Sequence, residues 1–550
     1  MESTKDDDVD EPTKQQTEPS PPAGDQSIVG AADLLSGLCD DVLVHILGLA
    51  KDAKDAVRTG ALSRRWRGLW RRVPALRFAS RQGNAKGFMA FVDDTLALRA
   101  RSGDGGLEQL EIRLNMRNAA CRNERLVPPS IGAAERWIRY AVRHGVKSFQ
   151  FELDLPKEDD EDEDEEAPVM VLDELPSSAK LEAMFLDLSY AWVSLPATVV
   201  FASLTDLKLE FMKVAGDNVL LLGRLVSSAC CPNLRKLHMF SVTLAGPGQQ
   251  KLLVEAGVLK ELSLEEMDGM RSLELRAPSL RVLRIEDCDD LESLAASAPR
   301  LEKLSCRGNP LLIIDGDFPS VSLLKLDLKS HGHAYGDDSN YGRIKLLQRC
   351  RSASRLSIDF DASMRESHGI DIIKGKIPQL DHVRSLKAQI SPTVNQNMHS
   401  FVGCVASLLT GTTFSNIRYL CLDFFIFYEI ALCPGAVRKS NFICDHRKSH
   451  EISFIHLKEA EFRRVRGTDC ELGFLQYVLS GATQLQKVIL SFKHSLKRRW
   501  NDDFRTIQEH SSLIKNRCKD FRENLLASGT WTDCHDTTDK CHSYEWRPCQ

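Results

Sequence analysis

Cysteine and histidine residues with the chemistry to ligate a metal are concentrated near the C-terminus of this chain. The larger group consists of Cys534, His535, Cys541, His542 and Cys549. The smaller group consists of Cys444, His446 and His450. Structural zinc sites usually pair their ligands two to four residues apart, and no cysteine pair in the tail does so. We therefore expect surface or loop residues here, with no bound metal and no cofactor.

The sequence also lacks the motifs that activate a nucleophile or cradle a phosphate. It contains no G-x-S-x-G, no H-E-x-x-H and no glycine-rich loop of the Walker or dinucleotide-binding type. Single serine, histidine, aspartate and cysteine residues abound, but none has a sequence context that would activate it. We expect a chain that is not itself an enzyme.

Composition and charge narrow the class of protein further. With 43% hydrophobic and 27% charged residues and a net charge of −5, the chain resembles an ordinary soluble protein and not a general polyanion binder. Residues 1–30 lack the features of a secretory signal and favour a disordered leader. The most apolar run, residues 419–433, is interrupted by Asp423 and Glu429, so we expect no membrane span. The sixteen cysteines are then expected to be reduced and mostly buried, in the nucleus or the cytoplasm.

Residues 62–74, LSRRWRGLWRRVP, thread five arginines around two tryptophans. A helix would place one apolar group within a third of its circumference, consisting of Leu62, Trp66, Leu69, Trp70 and Val73. Ser63 can cap the start of this helix, and Pro74 ends it. We predict that the tryptophans face a core or a partner and that the arginines are solvated. Nucleic-acid binding is disfavoured, because the tryptophans share one face instead of forming a stacking platform.

Two more short helices are predicted directly upstream. Asp40 and Asp41 favour the N-terminal end of the first helix dipole, and Asp55, Ala56 and Val57 lie in the second helix. Three helices in about 45 residues bury too little apolar surface to be comfortably stable alone. The sequence therefore predicts a docking module.

Residues 38–78 resemble the F-box of plant F-box proteins, because three of that family's motifs occur in order. They are LCDDVLVHIL, then DAVRT, then LSRRWRGLW followed by VP. The resemblance implies binding to a Skp-type adaptor and, through it, to the cullin scaffold of an SCF ubiquitin ligase. The adaptor contacts that it implies are Leu38, Cys39, Val42, Ile46, Leu47, Val57, Leu62, Trp66 and Trp70.

Two departures from the family's pattern affect the start of this module. Cys39 stands where the family has a proline, and the turn GLAKDAKDA (48–56) lacks a proline and is one residue longer than usual. Proline would fix the backbone dihedral and preset the docking geometry. We expect a weakened module, not a lost one.

A leucine-x-x-leucine-x-leucine phrase recurs through most of the remaining chain. The clear copies start at residues 204, 234, 259, 280, 301 and 321, at separations of 30, 25, 21, 21 and 20 residues. Weaker copies start at 107, 146, 181, 353, 383 and 417. These spacings are typical of leucine-rich repeats. The fold class predicted is therefore α/β: a three-helix F-box followed by an irregular leucine-rich-repeat solenoid, with a parallel sheet on the concave face and helices or loops on the convex face.

The residues between the repeat leucines point out of the predicted sheet and form its concave binding face. Their mixed charge suits a protein target better than a phosphate backbone. The candidate target-binding residues are His238, Phe240, Arg284, Glu286, Lys303, Arg307 and Arg355.

Residues 457–492 resemble the C-terminal FBD region of many plant F-box proteins, notably in G-T-D-C-E-L and in A-T-x-L-x-K-V. We expect strand, helix and strand there, as a repeat that caps the array. The predicted organisation is a leader (1–30), the F-box (34–78), the solenoid (79–456) with a solvated acidic loop (158–166), the FBD-like repeat (457–492), and a C-terminal helix and tail (493–550) whose last twenty residues show no clear period.

Two functional hypotheses follow from these patterns. In the first, the chain is the substrate-recognition subunit of an SCF-type ligase, and the repeats bind an unknown protein target. In the second, Cys39 and the longer turn have disabled docking, and the chain is a leucine-rich-repeat interaction scaffold outside any ligase.

Overall fold

A computed structural model describes residues 37–80, 84–102, 106–117, 126–156, 169–246, 250–309, 312–329, 340–361, 377–391, 405, 408–409, 414–425, 454–465, 469–493, 519, 529–534 and 541–549. The predicted leader, the acidic loop and almost all of the predicted C-terminal helix lie outside these ranges.

Three short helices open the described chain. They are α1 (Asp40–Gly48), α2 (Ala53–Arg58) and α3 (Trp66–Leu69), with 3₁₀ turns at Thr59–Ala61 and Trp70–Arg72. Asp52 caps α2, because its carboxylate accepts a hydrogen bond of 2.8 Å from the Lys54 backbone N–H. The prediction of one continuous helix over residues 62–73 is wrong. Ser63 makes no cap, and with Gly68 inside it the α-helical part covers only four residues.

The rest of the chain is dominated by an 18-stranded sheet. In spatial order, its parallel strands are β1 (Ala75–Ala79), β2 (Gln109–Asn115), β3 (Ser148–Asp154), β5 (Ala183–Ser194), β6 (Asp206–Ala215), β7 (Lys236–Ala245), β9 (Glu261–Glu265), β11 (Val282–Glu286), β13 (Lys303–Arg307), β15 (Leu323–Lys329), β16 (Arg355–Asp361), β17 (Ser385–Ser391), β18 (Tyr419–Phe424), β19 (Glu459–Val465) and β20 (Lys487–Lys493). A short strand, β4 (Val169–Val171), pairs with the second half of β5. Every predicted repeat phrase contributes one of these strands, so the repeat prediction is confirmed.

A second parallel sheet covers the back of the central repeats. It contains β8 (Gln250–Glu255), β10 (Met270–Arg276), β12 (Ser293–Ser297) and β14 (Ile313–Asp315). Helices or loops were predicted there. The difference follows from repeat length, because a 20- or 21-residue repeat leaves too few residues for two turns and a helix. The longer repeats do carry helices on this side: α4 (Ala85–Ser102), α5 (Val127–Arg143), α6 (Val219–Leu225), α7 (Tyr341–Arg349) and α8 (Asp469–Ser480).

Each central strand of the large sheet has a residue with a left-handed backbone, within the strand in β6 and β7 and directly after it in β9, β11 and β13. Phe211, Ser241, Glu266 and Asp287 have φ between 49° and 56°, and Gly308 has φ of 83°. Since side chains rarely adopt this region, the recurrence marks a structural requirement. In β6 and β7 the left-handed residue interrupts the pairing register, which resumes at Met212 and Val242, and in the next three repeats it comes where the strand ends.

The core lies between the large sheet and the elements behind it. Inward residues of each strand are buried and alternate with outward ones, as in β11, where Leu283 and Ile285 are buried and Arg284 is exposed. Leucines of successive repeats therefore stack into one continuous apolar layer. Among the described helices, none is both long and apolar enough to cross a membrane.

The structure moves one predicted boundary and extends the sheet at its far end. The predicted F-box end at residue 78 falls inside β1, which pairs with β2 and so belongs to the solenoid. The FBD-like region forms strand, helix and strand as predicted, with β19, α8 and β20. It does not end the array, because β22 (Cys541–Pro548) pairs antiparallel with β20 and with β21 (Gly529–Cys534). The tail that showed no period is thus partly strand, with Trp546 buried.

Candidate functional site

The N-terminal helices enclose a small core that is separate from that of the solenoid. It consists of Leu43, Leu47, Ala56, Leu69, Trp70 and Val73. Leu47 and Trp70 are 5% and 4% exposed. Both were predicted to contact the adaptor, but α3 and the turn after it pack against α1 and enclose them. Their contribution is therefore to hold the three helices together.

The other predicted adaptor contacts reach the surface to different extents. Val42 and Ile46 are 41% and 39% exposed, and Leu62 is 69% exposed. Cys39 is also exposed. The remaining three are half-buried: Leu38, Val57 and Trp66.

An exposed apolar row on one side of the first helix is formed by Val42 and Ile46 of α1 and by Leu49 at its C-cap. These residues are spaced by four and three positions, so they lie on the same side of the helix. Leu49, which the sequence placed on the apolar face of this helix but not among the adaptor contacts, is 70% exposed. The signal for it was present in the same helical period as Val42 and Ile46. We refer to Val42, Ile46 and Leu49 as the α1 row.

Two arginines of the arginine–tryptophan stretch bind the start of α1. The Arg65 Nε donates a hydrogen bond of 2.8 Å to Asp40, and Arg65 also donates to the Leu38 carbonyl. Arg72 lies 2.7 Å from the Asp41 carboxylate. Both arginines are exposed, as predicted, and they also pair with these carboxylates. The two contacts connect the first and third motifs of the F-box-like stretch. Asp40 and Asp41 lie at the positive, N-terminal end of the α1 dipole.

Cys39 has the backbone conformation that proline would impose. Its φ is −68° and its ψ is 158°, while proline holds φ at about −65°. The backbone conformation that a proline would fix is thus present at this position although the proline is absent. A cysteine in place of proline leaves the unfolded chain with more conformational entropy to lose on folding.

The helical module is fixed directly to the first repeats of the solenoid. Arg77 of β1 donates a hydrogen bond of 3.3 Å to the Gly48 carbonyl at the end of α1. Arg99 of α4, only 4% exposed, donates to the Trp70 carbonyl at 3.5 Å. Burial lowers the pKa of Arg99 below its usual value. Ala53 at the start of α2 joins the solenoid core itself.

The outward side of the large sheet, which we call the open face, brings the predicted target-binding residues together. In-register pairing places His238 in one row with Ser263, Arg284 and Ser305. Phe240 stands in the next row with Glu265, Glu286 and Arg307. Lys303 and Arg355 share a third row through Leu323. All seven candidates therefore project from one surface spanning β7 to β16.

An aromatic cluster lies at the edge of this face. The rings of Tyr190 and Phe211 are 5.3 Å apart, and those of Phe211 and Phe240 are 5.1 Å apart, both edge to face. Tyr190 is 43% exposed and its hydroxyl is 2.9 Å from the Ser241 hydroxyl. His238 stacks parallel to Phe240 at 6.4 Å. Its pKa is lowered by burial and by Lys208, which favours the neutral imidazole.

Acidic residues of the open face are largely paired with arginines. Arg307 binds both Glu286 and Asp359, the latter at 2.5 Å. Arg343 of α7, whose side chain is 6% exposed, binds Asp327 at 2.9 Å. These pairs neutralise the carboxylates and fix their positions.

An acidic group nearer the N-terminal repeats behaves differently. Burial, with Glu210 and Glu152 nearby, raises the pKa of Asp187 to about 6. Asp187 is therefore partly protonated near neutral pH.

The described cysteines fit the expectation of small buried groups. Six are free and buried: Cys230, Cys231, Cys288, Cys306, Cys350 and Cys421. Burial raises the pKa of the Cys231 and Cys288 thiols to about 12, which makes them unreactive. Within the described ranges, no group of three or more potential ligands could hold a metal ion. The predicted zinc alternatives in the tail fall largely outside the described side chains.

The fold and this surface define an α/β leucine-rich-repeat protein that carries an N-terminal three-helix module. The family model described as "FBD-associated F-box protein At5g56370, LRR repeats" matches residues 174–323, from just before β5 to the start of β15. This chain resembles plant F-box/leucine-rich-repeat proteins, as its motifs predicted.

Relatives in Arabidopsis thaliana carry the same description. The chain is 25% identical to the putative FBD-associated F-box protein At5g50270 over 264 residues, which cover 44% of this chain and 60% of the relative. It is 29% identical to the putative FBD-associated F-box protein At5g56440 over 231 residues, 40% of this chain and 47% of the relative. A putative F-box/FBD/LRR-repeat protein, At4g26350, is 29% identical over 212 residues, 38% of this chain and 42% of the relative. The chain thus spans about half the length of the curated relatives it matches.

Proposed function

We propose that this chain is the substrate-recognition subunit of an SCF-type cullin ubiquitin ligase. The three-helix module binds a Skp-type adaptor, and the open face binds a protein target in the nucleus or the cytoplasm. The names of the similar proteins, which describe F-box, FBD and leucine-rich-repeat parts, support a non-catalytic adaptor-type role. The ligase assignment is a proposal that goes beyond those names.

The observation that carries the proposal is the α1 row. A small helical module normally turns its apolar residues inward, yet Val42, Ile46 and Leu49 stand exposed beside a fully formed core. Exposed apolar rows on a rigid module mark protein interaction sites. Arg65 and Arg72 hold α1 in place, so that the row is presented without rearrangement.

The chain would promote ubiquitin transfer by proximity. Arg77 and Arg99 join the adaptor-binding module to the solenoid through hydrogen bonds. A target held on the open face is thereby kept near the adaptor and the charged ubiquitin carrier, which raises its effective concentration.

The proposal is tested by measuring the dissociation constant between the full chain and a purified Skp-type adaptor. We expect sub-micromolar binding that Ile46→Glu weakens by tenfold or more, because a charge replaces an apolar contact. Leu220→Glu is the matched control, since Leu220 is a 77% exposed leucine on α6 of the solenoid. Substitution of Leu47 is a poor test, because this buried residue stabilises the module itself.

Two results would contradict the proposal. One is the absence of adaptor binding by a wild-type chain whose circular dichroism and melting show that it is folded. The other is equal weakening by Ile46→Glu and Leu220→Glu. Either result would favour a leucine-rich-repeat scaffold that acts outside the ligase.

A further inference from the structure

The middle row of the open face alternates serine with a cation over six adjacent strands. The register places side by side Ser263, Arg284, Ser305, Lys325, Ser357 and Lys387. The cations are exposed, whereas Ser263 and Ser305 are 7% and 5% exposed. Arg284 and Lys325 therefore each have a serine on both neighbouring strands, and Lys387 lies between Ser357 and Cys421.

These cations have few polar contacts within the described part of the protein, where Arg355 donates a hydrogen bond of 3.4 Å to the Ser322 hydroxyl. Within the described residues, Arg284, Lys325 and Lys387 have no acid within ion-pairing distance, and the same holds for Lys303 and Arg355 in the adjoining row. The acids that could have neutralised them are already occupied. As shown above, Arg307 binds Glu286 and Asp359, and Arg343 binds Asp327.

The result is a basic strip on a protein whose net charge is −5. Surplus cations gathered in one place on an acidic protein raise the local concentration of anionic partners. Arg284, Lys325 and Lys387 are exposed and make no ion pair within the described residues, although Lys325 lowers the pKa of Glu286 and Lys387 lowers that of Glu461 through space. They are available to a ligand.

The spacing of the cations selects the shape of that ligand. Adjacent strands lie about 4.8 Å apart, so cations on every second strand are roughly 9.6 Å apart. A polyproline II peptide rises about 3.1 Å per residue with three residues per turn, so every third side chain points the same way at intervals of about 9.3 Å. The two repeats agree to within a few per cent over the length of the row.

We propose that the open face of β11 to β17 binds an extended peptide that carries a carboxylate or phosphate at every third residue. This inference rests on the proposed function, for which it names the class of target segment. Single-stranded nucleic acid fits less well. The outward positions of these strands contain no aromatic ring for base stacking. The row on the other side of the cations, which contains Arg307, includes three carboxylates: Glu286, Asp327 and Asp359.

The test uses fluorescence anisotropy with the full chain and labelled synthetic peptides. The first peptide has three Glu-Pro-Ala repeats, the second has the same composition with its glutamates contiguous, and the third has phosphoserine in place of glutamate. We expect the periodic peptides to bind about tenfold more tightly than the contiguous one. A preference between glutamate and phosphoserine identifies which acid the strip takes.

Two triple variants with equal change in charge provide the matched comparison. Arg284→Gln/Lys325→Gln/Lys387→Gln should weaken binding of the periodic peptide about tenfold, as expected for three exposed ion pairs. The control variant replaces three exposed cations of the back sheet: Lys251→Gln/Arg271→Gln/Arg276→Gln. It should bind like the wild type.

Several outcomes would overturn the inference. They are equal affinity for the periodic and contiguous peptides, equal weakening by both triple variants, and tighter binding of an oligo-dT strand than of either periodic peptide. Adaptor binding is measured on the same preparations. If it is retained while the peptides fail, the strip is refuted and the ligase proposal survives; if it is absent while the peptides bind as expected, the reverse holds.

Discussion

Replacing Cys39 with proline is expected to stabilise the N-terminal module and tighten adaptor binding. The native φ of −68° lies within the range that proline imposes, and ψ of 158° is extended. Proline also removes a backbone N–H, but no hydrogen bond from Cys39 N–H is made within the described residues. The substitution therefore acts mainly by restricting the unfolded chain.

The magnitude follows from that restriction. Proline at a compatible position stabilises a protein by about 0.4–1 kcal/mol. If α1 must be ordered for docking, the same free energy tightens adaptor binding by roughly two- to fivefold at 25 °C. The effect is local, since Leu43 and Leu47 of α1 pack in the small core of the module.

Hydrogen exchange of the α1 amides and the adaptor dissociation constant measure the two consequences. Cys39→Pro should slow exchange in residues 40–48 and lower the dissociation constant. Cys39→Ala is the control, because it removes the thiol and leaves φ free. Faster exchange in the proline variant, or weaker adaptor binding than in the alanine variant, would refute the reasoning.

Three further predictions concern the solenoid. Asp187→Asn should stabilise the protein by about 1 kcal/mol at pH 8 and hardly at pH 4. The pKa of Asp187 is raised to about 6 in the folded state, so the wild type loses stability as the pH rises from about 4 through 6; an equal shift in melting temperature at both pH values would contradict this. Arg343→Met should lower the free energy of unfolding by about 3 kcal/mol, measured by chemical denaturation, because it leaves Asp327 unpaired. The double variant Arg343→Met/Asp327→Leu should recover most of this loss, and no recovery would exclude the ion pair as its cause. Gly308→Ala should lower the free energy of unfolding by more than about 1 kcal/mol, since φ is 83° and the new Cβ would lie 2.6 Å from a backbone atom of the neighbouring repeat. Gly257→Ala, at an open position, is the control, and similar melting temperatures of the two variants would refute the argument.

The repeat array could be predicted from the sequence because its signal is local and periodic. The phrases starting at 204, 259 and 301 place leucines at the spacing of one strand, and each lies two residues before β6, β9 and β13. The outward position of Arg284 follows from the same alternation. Strand periodicity is a property of the backbone, so it does not depend on distant contacts.

The elements that sequence reasoning missed depend on contacts between distant residues. The second sheet forms because short repeats have no room for helices. The residues around Leu253 show no local pattern that distinguishes a strand from a loop. The strand containing Trp546 is set by pairing with β20, more than fifty residues earlier. Its alternation is short, and it follows a segment without a period.

The candidate adaptor site divides in the same way. The apolar period of α1 identified Val42 and Ile46 as members of a helix face, but it could not separate them from Leu47, which belongs to the opposite side. Burial of Leu47 and Trp70 is decided by how α3 folds back onto α1. The two arginine–aspartate contacts join residues 25 and 31 positions apart, which no local pattern reports.

By itself, the sequence determined that short helices precede an array of leucine-rich repeats, and it determined which side chains point out of the sheet. These properties are local, since they follow from the periods of helix and strand and from short motifs. Only the tertiary structure decided which cations remain unpaired on the open face and which apolar residues remain exposed on α1. Pairing and burial depend on the neighbours that folding supplies, and those neighbours come from other repeats and other helices.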